Sequence, residues 1–364
     1  MQNRIVMLVD LDYFFAQTEE TRNPSIRDKP VVVCVYSGRS EDSGAVSTAN
    51  YIARKFGVKS GMPIALAKSK LQNVDAVFLP VDDTYYEKIS SGVMSILKRY
   101  ADSFEQAGID EAYLEVSQRT KESYEEATEL AKRIKNEILT NHSLTCSIGI
   151  GPNKVIAKVA SDAHKPDGLT VIEPGRVLEF LSPLPVDRLI GVGLKTTQKM
   201  RALGVTTIGD LAKLDVQRLV KIFGKKLGLY FHNAAAGIDG EPVQERAGAT
   251  SISRISTLKE DTRKLILITE NTDRLCEEIK AELDQNGLVF RTVTAIAIMK
   301  DLSVRSRSKS LDNTNRLEVL QETVKELFER YLAESTLEIR RAGVKVSGLS
   351  KVGKNQKELS SFFE

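Results

Sequence analysis

Ile5-Val6-Met7-Leu8-Val9-Asp10-Leu11-Asp12-Tyr13-Phe14-Phe15-Ala16 is an apolar run that stops at an acid and passes at once into an aromatic segment. The run reads as a buried strand with Asp10 at its end. Asp12 stands where a helix N-cap belongs, so a helix is expected from Tyr13 to about Thr21. Working outward, Val31 to Val35 is a second strand, Ser37 to Gly44 a polar loop, and Ala45 to Phe56 a predicted helix closed by Gly57. Helices are expected over Tyr85 to Tyr100, with Ile89, Val93, Ile96 and Leu97 on one face, and over Tyr124 to Leu139. Between them lies a hairpin around Gly108, with Ile109 to Val116 as its second arm. A strand follows over Thr145 to Ile150. This order predicts an α+β core with helices on one face of a mixed or antiparallel sheet.

Beyond Lys165-Pro166-Asp167-Gly168 the pattern changes to short helices, with no strand expected until about residue 250. Glu241 to Ala249, with Pro242 and Gly248, reads as a linker. From Thr250 the order is strand, helix (Ile268–Asn286), strand (Val293–Lys300), strand (Val304–Leu311), helix (Leu317–Ser335), strand (Ala342–Val346), a βαββαβ module. A polar tail from Leu349 ends in Phe362-Phe363.

The chain has 364 residues, enough for two to four domains of ~100–200 residues. With 41% apolar and 28% charged residues it is neither disordered nor collagen-like. No run reaches the ~18 apolar residues of a membrane span, and the short N-terminal run does not make a signal peptide. A cytosolic location without membrane contact is expected. Cys34, Cys146 and Cys276 are isolated, and so are His142, His164 and His232, which speaks against a disulfide framework or a zinc site. A metal would need oxygen ligands, which points to Mg²⁺, Mn²⁺ or Ca²⁺. Net charge is only +3, but residues 1–166 hold 21 basic and 22 acidic side chains and the remainder 31 and 27. Basic excess lies downstream and the acids that can hold a metal lie upstream.

Three of those acids stand out: Asp10 at a strand end, and Asp110-Glu111 beside the hairpin. Carboxylates converging from neighbouring strands can hold a pair of hard cations ~3.5–4 Å apart for phosphoryl transfer. Strict alternation places Asp110 and Glu111 on opposite faces, so both reach one site only if the chain turns next to Gly108. Spacing alone leaves a metal site and a solvated turn equally open.

Five motifs in order decide between them. Asp10-Leu11-Asp12-Tyr13-Phe14-Phe15-Ala16, Ala49-Asn50-Tyr51-Ile52-Ala53-Arg54-Lys55-Phe56-Gly57-Val58, Ile109-Asp110-Glu111-Ala112-Tyr113-Leu114, Gly149-Ile150-Gly151-Pro152-Asn153-Lys154 and Lys165-Pro166-Asp167-Gly168 resemble those of the DinB-like Y-family translesion DNA polymerases. The likeness covers about 170 residues strongly and the rest more weakly. It implies a right-hand fold: palm at 1–12 and 78–166, fingers at 13–77, thumb at 167–240, linker at 241–249, little finger at 250–348 and tail at 349–364. The implied activity is template-directed, low-fidelity addition of dNMPs to a primer 3′-hydroxyl past damaged bases.

By the same resemblance, Asp10, Asp110 and Glu111 are the catalytic carboxylates, and the Leu11 carbonyl joins them as ligands of two Mg²⁺ ions. Phe15 would pack under the sugar and exclude a 2′-hydroxyl, whereas Phe14 reads as core. Thr48, Tyr51, Arg54 and Lys165 would hold the triphosphate, Tyr51 and Arg54 from one helix face. Gly44 and Ala45 would roof the base and leave room for bulky lesions. Asp12 receives no catalytic role, since capping accounts for it.

DNA contacts are expected from Gly191, Gly193 and Lys195 in a helix-hairpin-helix pattern. Arg305, Arg307 and Lys309, spaced by two along one strand face, add to them. Arg341, near a parallel-looking strand with Arg340 and Lys345, extends that basic surface. Gln356, Leu359, Phe362 and Phe363 resemble the clamp-binding peptide of replication proteins. Expected partners are therefore primer-template DNA, a dNTP and a sliding clamp, with the chain itself a monomer. Gly108, Leu11, Thr18 and Ile190 depart from residues common in the family without touching the carboxylates. The rival readings, a nucleotidyl cyclase and a catalytically silent DNA-binding scaffold, fit less well: the first needs no duplex-binding surface and the second no carboxylate triad.

Overall fold

The computed structural model describes residues 4–245 and 248–351; the proposed clamp peptide at 356–363 lies outside them. The chain divides into two compact units: Met1–Cys34, Val46–Met62 and Leu66–Arg246 form one, and Val35–Ala45, Pro63–Ala65 and Ala247–Glu364 the other. The elements run β1 (Val6–Leu11), α1 (Phe14–Arg22), β2 (Val31–Tyr36), β3 (Gly44–Ala49), α2 (Tyr51–Lys55), α3 (Ile64–Lys70), β4 (Val77–Pro80), α4 (Asp83–Arg99), β5 (Ser103–Gln106), β6 (Glu111–Glu115), α5 (Tyr124–His142), β7 (Cys146–Gly151), α6 (Lys154–Ser161) and β8 (Leu169–Val171). Five short helices follow: α7 (Val177–Leu181), α8 (Leu194–Ala202), α9 (Ile208–Ala212), α10 (Val216–Phe223) and α11 (Lys225–Ala235).

The first unit is organised by a mixed sheet in the order β5-β6-β1-β7-β8. Strand β1 sits at its centre, antiparallel to β6 and β7, and every one of its residues is buried. Its alternate residues Met7, Val9 and Leu11 face the apolar sides of α4 and α5, which supply Val93, Leu97, Leu130 and Ile134. Val6 and Leu8 point the other way, to Ala157 of α6 and to Val243. Helices therefore cover both faces rather than one, because β1 is apolar at every position before Asp10. Short β8, pairing parallel to β7, is a strand that sequence reading places nowhere.

Residues 45–49 are strand β3, not the first half of a helix. Val46 and Thr48 are β-branched and favour the pleated backbone. The helix begins only after Asn50, whose side chain accepts from the Ala53 amide at 2.9 Å. Gly44 has φ 140°, and a Cβ there would stand 2.2 Å from the Val35 carbonyl, so a larger residue cannot open this strand. Asp12 is likewise not the N-cap of α1; that place belongs to Tyr13, whose φ is 37° and which makes no side-chain cap bond.

The second unit carries β9 (Ser251–Thr262), α12 (Leu265–Gln285), β10 (Leu288–Met299), β11 (Val304–Thr314), α13 (Leu317–Glu334), β12 (Ile339–Ser347) and the two-residue β13 (Ser350–Lys351). This is the expected βαββαβ order, folded as a sheet in the order β11-β10-β12-β9. All its long pairings are antiparallel, β12 included, because β12 lies between β9 and β10 and runs against both. Val293, Ala295, Ala297, Val344 and Val346 face Ile279, Leu283, Val324 and Phe328 of the two helices. The opposite face is dominated by hydroxyls and cations. Among the described residues, no helix is long and apolar enough to cross a membrane.

Candidate active site

The carboxyl end of β1 brings the three acids together. Asp10 pairs across β6 with Glu111 and across β7 with Ser147, and it is 7% exposed. Strand β6 starts at Glu111, so Asp110 belongs to the preceding bend and is freed from strand alternation. Its carbonyl accepts the Leu11 amide at 2.9 Å, which locks the bend to the end of β1. Burial, reinforced by the charges of Asp10 and Glu111, pushes the Asp110 carboxyl up to about 6. Three acids crowded in this way call for cationic compensation.

Two lysines supply it. Lys158, on α6, donates to Asp10 Oδ2 at 2.9 Å and to Glu111 Oε2 at 2.6 Å. Lys165 lies 2.6 Å from Asp10 Oδ1 and 2.9 Å from Asp162. Burial opposes the charge of both ammonium groups, but their acidic partners outweigh it and both are held above the ordinary lysine value. Among the described residues, no three acidic, cysteine or histidine side chains form a ready-made metal cage. The donor set at this strand end is nonetheless all oxygen and suits a hard divalent cation.

A cavity of about 360 Å³ opens over these groups. Asp10, Leu11, Asp110, Glu111, Thr48, Tyr51, Arg54 and Lys165 line it, together with Tyr13, Phe14, Ser60 and Lys158. Arg54 is held by its Nε bond to the Ala49 carbonyl at 2.8 Å, and its guanidinium lies over the Tyr51 ring, 4.8 Å from the centroid. Tyr13 meets Tyr51 edge-on at 5.2 Å. Phe15 is outside the lining: it is half-buried and stacked on Tyr86. Gly44 and Ala45 open β3 and do not line the cavity.

Sequence reading missed Lys158 and Tyr13. Lys158 had a signal: it is a lone cation among Val155, Ile156, Ala157, Val159 and Ala160, and such a residue on a buried helix needs a partner acid. Tyr13 had none, since its left-handed backbone follows from the strand-to-helix turn.

The proposed DNA-contacting residues lie elsewhere. Gly191 has φ 82°, a left-handed conformation that favours glycine. Tyr230 fixes this loop by donating to the Ile190 carbonyl at 2.9 Å. Gly193 is the N-cap of α8 without a side-chain cap, and Lys195 is exposed in its first turn. In the second unit, Arg305, Arg307 and Lys309 oppose Ala297, Ala295 and Val293, which puts all three on the helix-bearing side. There Arg307 pairs with Glu334 and Lys309 with Glu326, both of α13. Arg341 and Lys345 belong to the helix-free face, in register with Ile298 and Thr294. Thr294 and Ser308 join their hydroxyls on that face at 2.8 Å.

The chain resembles known proteins over its whole length. Residues 9–162 match the impB/mucB/samB family, residues 249–359 its C-terminal domain, and residues 187–239 the thumb domain of DNA polymerase-iota. The chain is 46% identical over 365 residues to DNA polymerase IV of Nitrosopumilus maritimus and 46% identical over 368 residues to DNA polymerase IV 1 of Methanosarcina mazei, covering 100% of both partners each time. A Y-family DNA polymerase chimera of Dbh and Dpo4 superposes with a TM-score of 0.90 at 38% identity, over 95% of this chain and 99% of the other. An insertion ternary complex of Dbh DNA polymerase gives 0.67 at 37% identity, over 94% and 98%.

Proposed function

This chain belongs to the impB/mucB/samB family, the DinB-like Y-family DNA polymerases, and is a translesion DNA polymerase; from that premise we propose that it transfers nucleotides in the cavity around Asp10, Asp110 and Glu111. The observation that carries this assignment is the register of Asp10 with Glu111, with the Asp110 bend bonded to Leu11. Family membership implies a divalent metal. The finer proposal is two Mg²⁺ ions held by Asp10, Asp110, Glu111 and the Leu11 carbonyl. Bound there, such ions supply Lewis acidity that lowers the pKa of the primer 3′-hydroxyl and neutralises the departing pyrophosphate.

The chain's own side chains bind and orient. Arg54 offers a planar fork to phosphate oxygens, and its bond to Ala49 fixes the direction of that fork. Burial raises the Tyr51 phenol, which keeps it a hydrogen-bond donor. Lys165 and Lys158 can exchange their carboxylate partners for phosphates while staying charged. Thr48 contributes a hydroxyl to the same wall. Phe15 is assigned to sugar discrimination, acting from beside the cavity. Gly44 and Ala45 are assigned to the base, where small residues leave space for damaged templates and lower fidelity.

The palm, fingers, thumb and little-finger boundaries of the sequence reading are retained as the functional division of the chain. Primer-template DNA is proposed to contact Gly191, Gly193 and Lys195 through exposed amides and charge. Arg341 serves on the helix-free face of the second unit, with Arg305, Arg307 and Lys309 along its edge strand. Gln356, Leu359, Phe362 and Phe363 are proposed to tether a monomeric chain to a sliding clamp.

Primer extension with Mg²⁺ and dNTPs tests the assignment. Asp110→Ala should abolish extension while primer-template affinity stays within about twofold of the parent. Normal extension by that variant would overturn it.

A further inference from the structure

Asp12 is fully buried, yet it neither caps α1 nor lines the cavity. Its carboxylate is nevertheless well occupied. Oδ1 accepts from the Ser147 hydroxyl at 2.7 Å; Oδ2 accepts from the Thr145 hydroxyl at 2.8 Å and from the Asp167 amide at 2.8 Å. Ser147 also takes the Gly168 amide, at 3.2 Å, so the acid and its hydroxyl partner hold two successive amides of the 165–168 segment. From the other side, Lys135 of α5 donates to the Asp167 carboxylate at 2.6 Å and to the Gly168 carbonyl at 3.3 Å. The segment is held from two sides at Asp167 and Gly168, and it carries Lys165 two residues upstream.

Asp10 and Asp12 leave the same strand end two residues apart. The first receives the Lys165 ammonium, and the second holds the backbone two residues beyond that side chain, at the Asp167 amide. We propose that Asp12 is a positioning residue for Lys165, fixing the 165–168 segment so that the ammonium is delivered to the phosphate end of the nucleotide cavity. A buried carboxylate suits this task because it only accepts, and all three of its neighbours donate. Asparagine in its place sets an amide donor against one of those donors and loosens the strap without changing side-chain volume. The inference rests on the assignment of Lys165 to the triphosphate.

The test is a double-mutant cycle on the full chain, reading KM for dNTP, kcat, and inhibition by inorganic tripolyphosphate on an undamaged primer-template. Asp12→Asn should raise KM for dNTP about tenfold and weaken tripolyphosphate inhibition in parallel, while primer-template affinity is unchanged. In a Lys165→Ala background the same substitution should add less than about twofold. A full tenfold effect on top of Lys165→Ala, or equal losses in DNA and nucleotide binding, would overturn the positioning role. Lys165→Ala with the parent KM would instead overturn the assignment of Lys165. Ser147→Ala and Thr145→Val each remove one donor to Asp12, and they carry the same cycle if Asp12→Asn does not fold.

Discussion

Phe15 lies face to face with Tyr86, ring centroids 4.3 Å apart and planes inclined by 16°. Tyr86 is completely buried and its hydroxyl donates to Glu19 at 2.8 Å, so the platform under Phe15 is itself immobilised. On the assignment of Phe15 to sugar discrimination, its ring gains from such backing, since a few tenths of an ångström decide whether a 2′-hydroxyl fits. Phe15→Ala is expected to reduce the preference for dNTP over rNTP by on the order of a hundredfold, and Tyr86→Ala by about tenfold through loss of the platform. Single-nucleotide insertion with matched dNTP and rNTP measures both; unchanged discrimination in Phe15→Ala would move the gate elsewhere.

Asp110 ionises at a cost. Its folded value of about 6 stands above the ordinary 3.8, so below 3.8 it is neutral in both states, and as pH rises through 6 the folded state loses stability. Asp110→Asn should therefore stabilise the metal-free protein by ~3 kcal/mol at pH 7 and by only ~0.5 kcal/mol at pH 4. Denaturant unfolding in a chelator at the two pH values gives the comparison. A gain equal at both would trace it to something other than this ionisation.

Lys158 bridges Asp10 and Glu111, and its removal leaves two carboxylates facing each other. Lys158→Met should lower the stability of the chelated protein by about 1–3 kcal/mol. Saturating Mg²⁺ should recover most of that loss, which makes the metal-induced rise in Tm larger in the variant than in the parent. If the rise is the same in both, the ammonium and the metal do not share these acids.

Asn50 is buried and uses its whole amide: Oδ1 accepts from Val31 at 3.1 Å and from Ala53 at 2.9 Å, and Nδ2 donates to Glu20 at 2.7 Å and to the Lys29 carbonyl at 2.8 Å. It thus joins β2 to the start of the helix that carries Tyr51 and Arg54. Asn50→Ala should cost about 2–4 kcal/mol in unfolding free energy and raise KM for dNTP even where the protein is folded. An unchanged KM at a temperature where the variant is folded would separate this hub from the nucleotide wall.

Much of this was legible in the chain because it is local. Five apolar residues ending in Asp10 read as a buried strand, and the periodicity beyond residue 250 placed every long element of the second unit. Failures arose where a distant partner decides. Asp110 and Glu111 look incompatible on one strand, but β6 starts at Glu111, paired with Asp10, two residues later than the expected arm from Ile109. Asp12 looked like a cap, although its partners Thr145, Ser147 and Asp167 lie more than a hundred residues downstream. Residues 45–49 read as the start of a helix, whereas β2 recruits Val46 and Thr48 into a sheet.

The lysines on the carboxylates have one more consequence. Asp10, Asp110 and Glu111 carry up to three negative charges, and Arg54, Lys158 and Lys165 bring three positive ones to the same cavity. On the assignments above, the cavity works as an ion exchanger. A metal arriving alone displaces ammonium groups that then have no counter-ion, and a triphosphate arriving alone strips the acids of theirs. Each guest supplies what the other releases, so their affinities are linked, and the complex that loads with least electrostatic work is the metal and nucleotide together.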